Sequence, residues 1–170
     1  MRIIVTGSPG TGKTTVARAL GKKLRHKVVN EKQFALERKI GKWDENEEEL
    51  VIPLGEFGKE LGALLEKEKN IILEGHMLCE LRLKADIVIL LREEPLILEG
   101  RLRKRGYSEE KVQDNVFCEA GNYCGKHVCS NYAAEKILDV PGGKNIKAAM
   151  QHIISTFRER GLKLGQGSST

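Results

Sequence analysis

Lys13 and Thr14 stand near the end of the stretch GSPGTGKTT, where Gly7, Gly12, Lys13 and Thr14 take the fixed positions of the spacing G-x-x-x-x-G-K-S/T. Each residue type has a chemical reason to be there. Glycines let a loop curl until several backbone N–H groups point at one anion. A lysine ammonium reaches the outer phosphates of a nucleotide, and the hydroxyl of the next residue is an oxygen donor for Mg²⁺. From background composition the spacing arises by chance in a chain of this length about 1% of the time. The flanks make chance a still poorer account. Ile3, Ile4 and Val5 read as a strand buried on both faces, and Val16, Ala17, Leu20 and Leu24 recur at helical spacing. A helix starting there adds its partial positive charge to the cradle. The stretch is a nucleotide-binding P-loop.

Further groups suited to phosphate chemistry lie downstream. Glu74 and His76 follow an apolar run, where a carboxylate is needed near a phosphate-bound cation. Arg92, Arg101, Arg103, Lys104 and Arg105 concentrate positive charge in one region. Such charge suits a lid over transferring phosphates, or else a solvated helix face. Cys118, Cys124, His127 and Cys129 lack the paired C-x-x-C groups of a zinc lid, so the three cysteines read as thiols rather than part of a metal centre. Trp43 reads as a packing residue rather than an adenine stack.

The elements that must position these groups alternate. After the first strand and helix, residues 27–30 (KVVN) form a second short strand, and EKQFALERKIGKW a short helix ended by Gly41. The acidic run WDENEEEL reads as a solvated loop or exposed helix face. Residues 54–67 are helical, and residues 70–75 (NIILEG) and 85–91 (ADIVILL) are the third and fourth strands. Pro95 opens a helix running to Gly106. Ser108, with Glu109 and Glu110 behind it, caps a long helix expected to reach about Tyr132. Residues 136–140 make a fifth strand and residues 145–159 a last helix, and residues 161–170 read as a disordered tail. Strand–helix alternation means an α/β P-loop NTPase three-layer fold with a five-stranded parallel sheet, and ligands at the carboxyl ends of its strands.

Composition narrows the class. A chain of 170 residues defaults to a single domain, here residues 1–160. Charged residues are 31% and aromatics 5%, and 29 basic against 24 acidic side chains give a net charge of +5, which favours anionic ligands. No apolar run approaches the roughly 20 residues of a membrane helix, and with a core strand starting at residue 3 no signal peptide is expected. A cytoplasmic protein is expected. No N/T-K-x-D guanine-reading motif is present, and the chain is short for a motor ATPase with accessory modules. The small-kinase pattern remains.

TGSPGTGKTT, LEGH, ILLREE and RLRKRGYSEEKVQDNVFCE together resemble the adenylate kinase isoenzyme 6 family over most of residues 1–119. The resemblance implies a P-loop kinase converting ATP and AMP into two ADP, with ATPase activity and a part in small ribosomal subunit maturation. It implies Mg²⁺ as cofactor, ATP as substrate, and ATP contacts at Gly10, Gly12, Lys13, Thr14, Thr15 and Arg105. Lys13, Glu74, His76 and Arg105 would be catalytic, with Mg²⁺ held by Thr14 directly and by Glu74 through water. Residues 30–52 would form the flap for the monophosphate, with Asn30 and Arg38 as acceptor contacts, and residues 104–114 the lid. The family usually carries Asp where this chain has Glu74. Implied partners are AMP or another nucleoside monophosphate, a small-subunit platform ribosomal protein and, transiently, pre-ribosomal RNA; in a eukaryotic source the location would be nuclear. The acidic run 44–49 suits a basic ribosomal protein better than phosphate. Two alternatives stay open: an assembly-factor ATPase with little kinase turnover, and a kinase for another small acceptor.

Overall fold

The computed structural model of the chain describes residues 1–46, 49–142 and 145–162. Its first half runs β1 (Arg2–Thr6), α1 (Lys13–Leu24), β2 (Lys27–Asn30), α2 (Glu31–Glu37), β3 (Lys42–Asp44), β4 (Glu49–Val51), α3 (Leu54–Lys67) and β5 (Ile71–Glu74). A 3-10 turn (Met77–Glu80) leads to β6 (Ile87–Leu91), α4 (Pro95–Lys104), α5 (Glu109–Ala120) and α6 (Tyr123–Asn131). A second 3-10 turn (Ala134–Lys136), β7 (Ile137–Val140) and α7 (Ile146–Glu159) follow.

Five strands make one sheet in the order β2-β5-β1-β6-β7, every pairing parallel. Parallel strands have both faces covered, which is why β1, β5 and β6 are apolar runs rather than alternating ones. Ile4, Leu73, Val88 and Leu90 point to one face and pack with Phe34, Phe57, Leu61, Leu65 and Val128 from α2, α3 and α6. Ile3, Val5, Ile72 and Ile89 point to the other, against Val16 and Leu20 of α1 and Ile153 and Phe157 of α7. The result is the expected three layers. A third small cluster of Leu98, Leu102 and Val112 joins α4 to α5.

The sheet order places the site. β1 is central, with β5 and β2 on one side and β6 and β7 on the other, so a crevice opens at its carboxyl end. The register levels the strand ends there: Val5 pairs with Glu74, and Glu74 pairs with Asn30.

Three expectations about local structure need correction. The helix begun at Ser108 does not reach Tyr132: α5 ends at Ala120, and α6 starts at Tyr123. Asn122 between them is left-handed (φ 56°), a conformation asparagine tolerates better than most residues, and its side-chain oxygen accepts from Arg92. The acidic run is neither a loop throughout nor a helix face. β3 and β4 pair as an antiparallel hairpin, and Asp44 Oδ1 accepts the Asn46 N–H at 2.9 Å to start the turn. Trp43 is not packed in the core: it is 56% exposed on this hairpin, with the Lys32 ammonium 5.8 Å from its ring centroid. At the other end of the chain, the Leu162 N–H donates to the Phe157 carbonyl and its side chain packs on the α1–α7 core. Residues 163–170 of the expected tail lie outside the described residues.

No helix among the described residues is long and apolar enough to cross a membrane.

Candidate functional site

The loop between β1 and α1 is held from behind by buried polar contacts. The Ser8 carbonyl accepts from Lys13 Nζ and from Thr11 Oγ1, each at 2.9 Å. The Ser8 hydroxyl donates to Glu119 Oε2 at 2.5 Å, and Glu119 Oε1 accepts the Glu93 N–H at 2.9 Å. Glu119 thus ties α5 to both the loop and the end of β6. Gly7 has φ 142° and lies so close to β6 that a Cβ there would overlap the Leu91 carbonyl oxygen. Gly12 starts α1 as its N-terminal cap residue. Burial pushes the Lys13 ammonium below its ordinary pKa, opposed by the charges of Glu31, Cys124 and Glu74.

At the end of β5, Glu74 is 2% exposed and fully engaged. It accepts from the Thr14 hydroxyl at 3.0 and 3.2 Å and from Asn30 Nδ2 at 2.7 Å. Asn30 also caps α2, its Oδ1 accepting the Gln33 N–H at 3.0 Å. The next residue, Glu31, is also buried. Its carboxylate accepts the backbone N–H of His76 at 2.7 Å and of Met77 at 3.0 Å, and it stands 2.7 Å from His76 Nδ1. The His76 side chain is otherwise half exposed. Gly75 lies between the two catalytic candidates because a Cβ there would overlap the Glu31 carboxylate.

A cavity of about 270 Å³ opens beside the loop, lined by Gly10, Thr15, Arg101, Arg105 and, across from them, Pro141 and Ile146. Arg101 reaches into it while paired with buried Glu93 at 2.6 Å and donating to the Gly10 carbonyl at 3.3 Å. Arg105, the last-turn cap of α4, is near enough to disfavour the charged form of Lys13. Arg92 also lines the cavity, whereas Arg103 and Lys104 do not. Arg103 pairs with Glu99 and Glu109 at 2.8 and 2.7 Å, and Arg92 with Asp139 at 3.1 Å. Lys104 is exposed.

Lys13, Thr14, Glu74 and Asn30 are therefore brought together, with His76 one turn further and Gly10, Gly12, Thr15 and Arg105 around the adjoining cavity. Arg38 is not in that group: it pairs with Glu60 at 3.2 Å and lies over the Phe34 ring. Of the cysteine and histidine group, Cys124 faces Cys79 at 3.4 Å beneath the loop, while His127 lies against Tyr123 with ring centroids 4.4 Å apart and planes tilted by 50°. The hydrogen bond to Cys124 and burial raise the Cys79 thiol pKa. Reasoning from sequence missed Ser8, Glu31, Glu93 and Glu119. All four adjoin singled-out residues, but Glu119 lies 111 positions from its partner Ser8, so nothing local pointed to their contact.

A lysine and a threonine at a glycine-rich loop, with a buried carboxylate level with them at the next strand end, define a P-loop nucleotide-binding protein. A family model described as an AAA domain matches residues 3–121. Proteins named "Putative adenylate kinase" from Thermococcus kodakarensis and Methanocaldococcus jannaschii are each 38% identical to this chain. The first alignment covers 96% of this chain and 88% of the relative, the second 97% and 90%. The chain belongs to this family of archaeal P-loop proteins. Among solved structures, a deoxyadenosine kinase from M. mycoides with bound dATP superposes with a TM-score of 0.60 at 18% identity, over 93% of this chain and 100% of that one. A shikimate kinase from Acinetobacter baumannii in complex with shikimate gives 0.66 at 14% identity, over 95% of each. Identities this low speak for the fold alone.

Proposed function

We propose that the protein is a nucleoside monophosphate kinase that transfers the γ-phosphoryl group of ATP to AMP, giving two ADP, and hydrolyses ATP slowly when no acceptor is bound. Asn30 carries this reading. Its amide, on the first residue of the acceptor side, donates to the carboxylate that also accepts from Thr14 of the phosphate loop. Donor and acceptor halves thus share one buried group at one strand end. The names of the archaeal relatives support the same reaction.

The triphosphate lies along the loop, where backbone N–H groups and the α1 N-terminus receive it. Lys13 exchanges the Ser8 carbonyl for the outer phosphates, and the base occupies the cavity beside Pro141 and Ile146. Thr14 and Glu74 fit Mg²⁺: a hydroxyl and a carboxylate 3.0 Å apart offer the oxygen donors this cation takes. Thr14 would hold it directly and Glu74 through water, and the bound ion supplies positive charge against the phosphate oxygens. Arg101 and Arg105 neutralise charge on the oxygens in flight, since phosphoryl transfer is mostly positioning and electrostatics. The β3–β4 hairpin and α2 form the flap over the monophosphate.

A coupled assay across nucleoside monophosphates, run beside hydrolysis without acceptor, tests the reading. ADP formation with AMP well above hydrolysis is expected. Hydrolysis alone would favour the assembly-factor ATPase, and faster turnover with a different acceptor would replace AMP. Arg105→Ala is expected to lower kcat about 10- to 100-fold while moving ATP affinity far less, because its charge acts when oxygens crowd in the transition state. A change confined to affinity would make Arg105 a binding residue.

The resemblance to the isoenzyme 6 family adds a part in small-subunit maturation, with the acidic run 44–49 docking a basic platform ribosomal protein. Glu47 and Glu48 of that run lie outside the described residues. Replacing Glu47, Glu48 and Glu49 with Gln is expected to weaken binding of the purified platform protein and flatten its salt dependence. Unchanged titrations at two salt concentrations would remove this docking surface.

A further inference from the structure

Cys79 and Cys124 are two buried nucleophiles that the proposed reaction leaves unused. The first stands on the 3-10 turn after β5 and the second in the first turn of α6, 45 positions away. The Cys79 thiol donates to Cys124 Sγ at 3.4 Å. α6 is fastened to the chain around Cys79, so this approach is built into the fold. Asn131 Nδ2 donates to the Cys79 carbonyl at 3.0 Å, and the Tyr132 hydroxyl donates to the Leu81 carbonyl at 2.7 Å. A disulfide holds its sulfurs about 2.0 Å apart, so the pair has little further to travel. The two thiols differ. The hydrogen bond from Cys79 lowers the Cys124 pKa; burial opposes this, and the Lys13 ammonium and the Ser8 hydroxyl add to the lowering. A place in the first turn of a helix favours the thiolate as well. Cys79 shifts the other way, raised by its hydrogen bond to Cys124 and by burial. Cys124 is also 7% exposed against 1% for Cys79, so a small reagent meets it first. We propose that Cys79 and Cys124 form a hydroperoxide-responsive pair beneath the phosphate loop, in which Cys124 attacks the oxidant and Cys79 closes the disulfide.

In the first step the Cys124 sulfur bonds to the terminal oxygen of the hydroperoxide and the O–O bond breaks. The departing oxygen takes a proton from solvent, and Cys124 becomes a sulfenic acid. Cys79 Sγ then bonds to Cys124 Sγ, the S–O bond breaks, and the hydroxide leaves with the Cys79 proton as water. Two thiols are oxidised by two electrons to one disulfide. The hydroperoxide is reduced to an alcohol, or to water where it is hydrogen peroxide, and one further water is released. A dithiol reverses the bond by exchange. The covalent link replaces the hydrogen bond between the turn after β5 and α6.

Two measurements test this. In the first, the folded wild-type protein is treated with hydrogen peroxide, alkylated in denaturant and mapped by peptide mass. A cross-link between Cys79 and Cys124, with the loss of two hydrogens and reversal by dithiothreitol, is expected. This result needs no variant and no enzymatic activity. No cross-link, or one that joins Cys118 or Cys129 instead, overturns the proposal. The second reads the order of attack with a cyclic dione that labels sulfenic acids. Under the same peroxide, Cys79→Ser is expected to carry the label on Cys124, and Cys124→Ser to carry about tenfold less on Cys79. A label on Cys79 in Cys124→Ser, with none on Cys124 in Cys79→Ser, overturns the assigned roles. Where a variant fails to fold, brief labelling of the wild-type protein before the disulfide closes shows which sulfur is oxidised first.

Discussion

Lys13→Ala is expected to reduce phosphoryl transfer on the order of 10³-fold or more while the protein stays folded. The catalytic loss follows from charge: no other ammonium is placed on the loop to meet the outer phosphates, and such groups carry much of the barrier reduction in phosphoryl transfer. The stability forecast follows from the surroundings. Burying this ammonium is costly, as its lowered pKa shows. Its removal also leaves no orphaned acceptor, because the Ser8 carbonyl keeps the Thr11 hydroxyl at 2.9 Å. Thermal unfolding should therefore change by no more than about 1 kcal/mol. Near-normal turnover would sink the assignment of the loop. A collapsed melting curve would mean that the Ser8–Lys13 contact holds the fold as well.

Gly7→Ala should do the opposite and damage structure first. The added Cβ would overlap the Leu91 carbonyl oxygen, which belongs to strand backbone and has nowhere to move. The φ of 142° also disfavours any L side chain. Together these should cost on the order of 2–4 kcal/mol. Displacing Gly7 pulls on Ser8 and through it on Glu119, so nucleotide affinity should fall with stability. ATP-dependent protection in a thermal melt measures both. A variant that melts and binds like the parent would show that the loop backbone shifts away from β6 without penalty.

The phosphate loop was legible because its chemistry is contiguous: eight residues in a row supply the curl, the charge and the hydroxyl. The parallel sheet was legible from apolar runs that have no alternation. Its strand order was not, because order depends on which helices cover which face. The residues that hold the site in place were hidden for a related reason. Glu31 reads as an ordinary acidic first-turn residue until β2 pairs with β5 and brings it under His76. Glu119 is one acid among several on α5 until that helix packs beside the loop. Two misreadings had visible signals. Gly121 and Asn122 are poor residues for the middle of a helix, and the Asp44–Asn46 segment is a turn signal between residues that pair as strands.

Most of the segment proposed as the acceptor flap is fastened to the rest of the fold. Glu31 is locked to the turn after β5, and Phe34, Ala35 and Ile40 are sunk in the same apolar cluster that takes Leu50, Ile52 and Leu54 on the return. A door hung on that many bolts cannot swing as a whole. Lys39 and Gly41, at φ 57° and 97°, bend the chain where it leaves the cluster for the β3–β4 hairpin. Under the proposed function, discrimination between acceptors should then depend on the side chains of that hairpin rather than on a swing of the whole segment. Exchanging that hairpin alone, with the bolted segments left in place, should then be the economical route to a new acceptor.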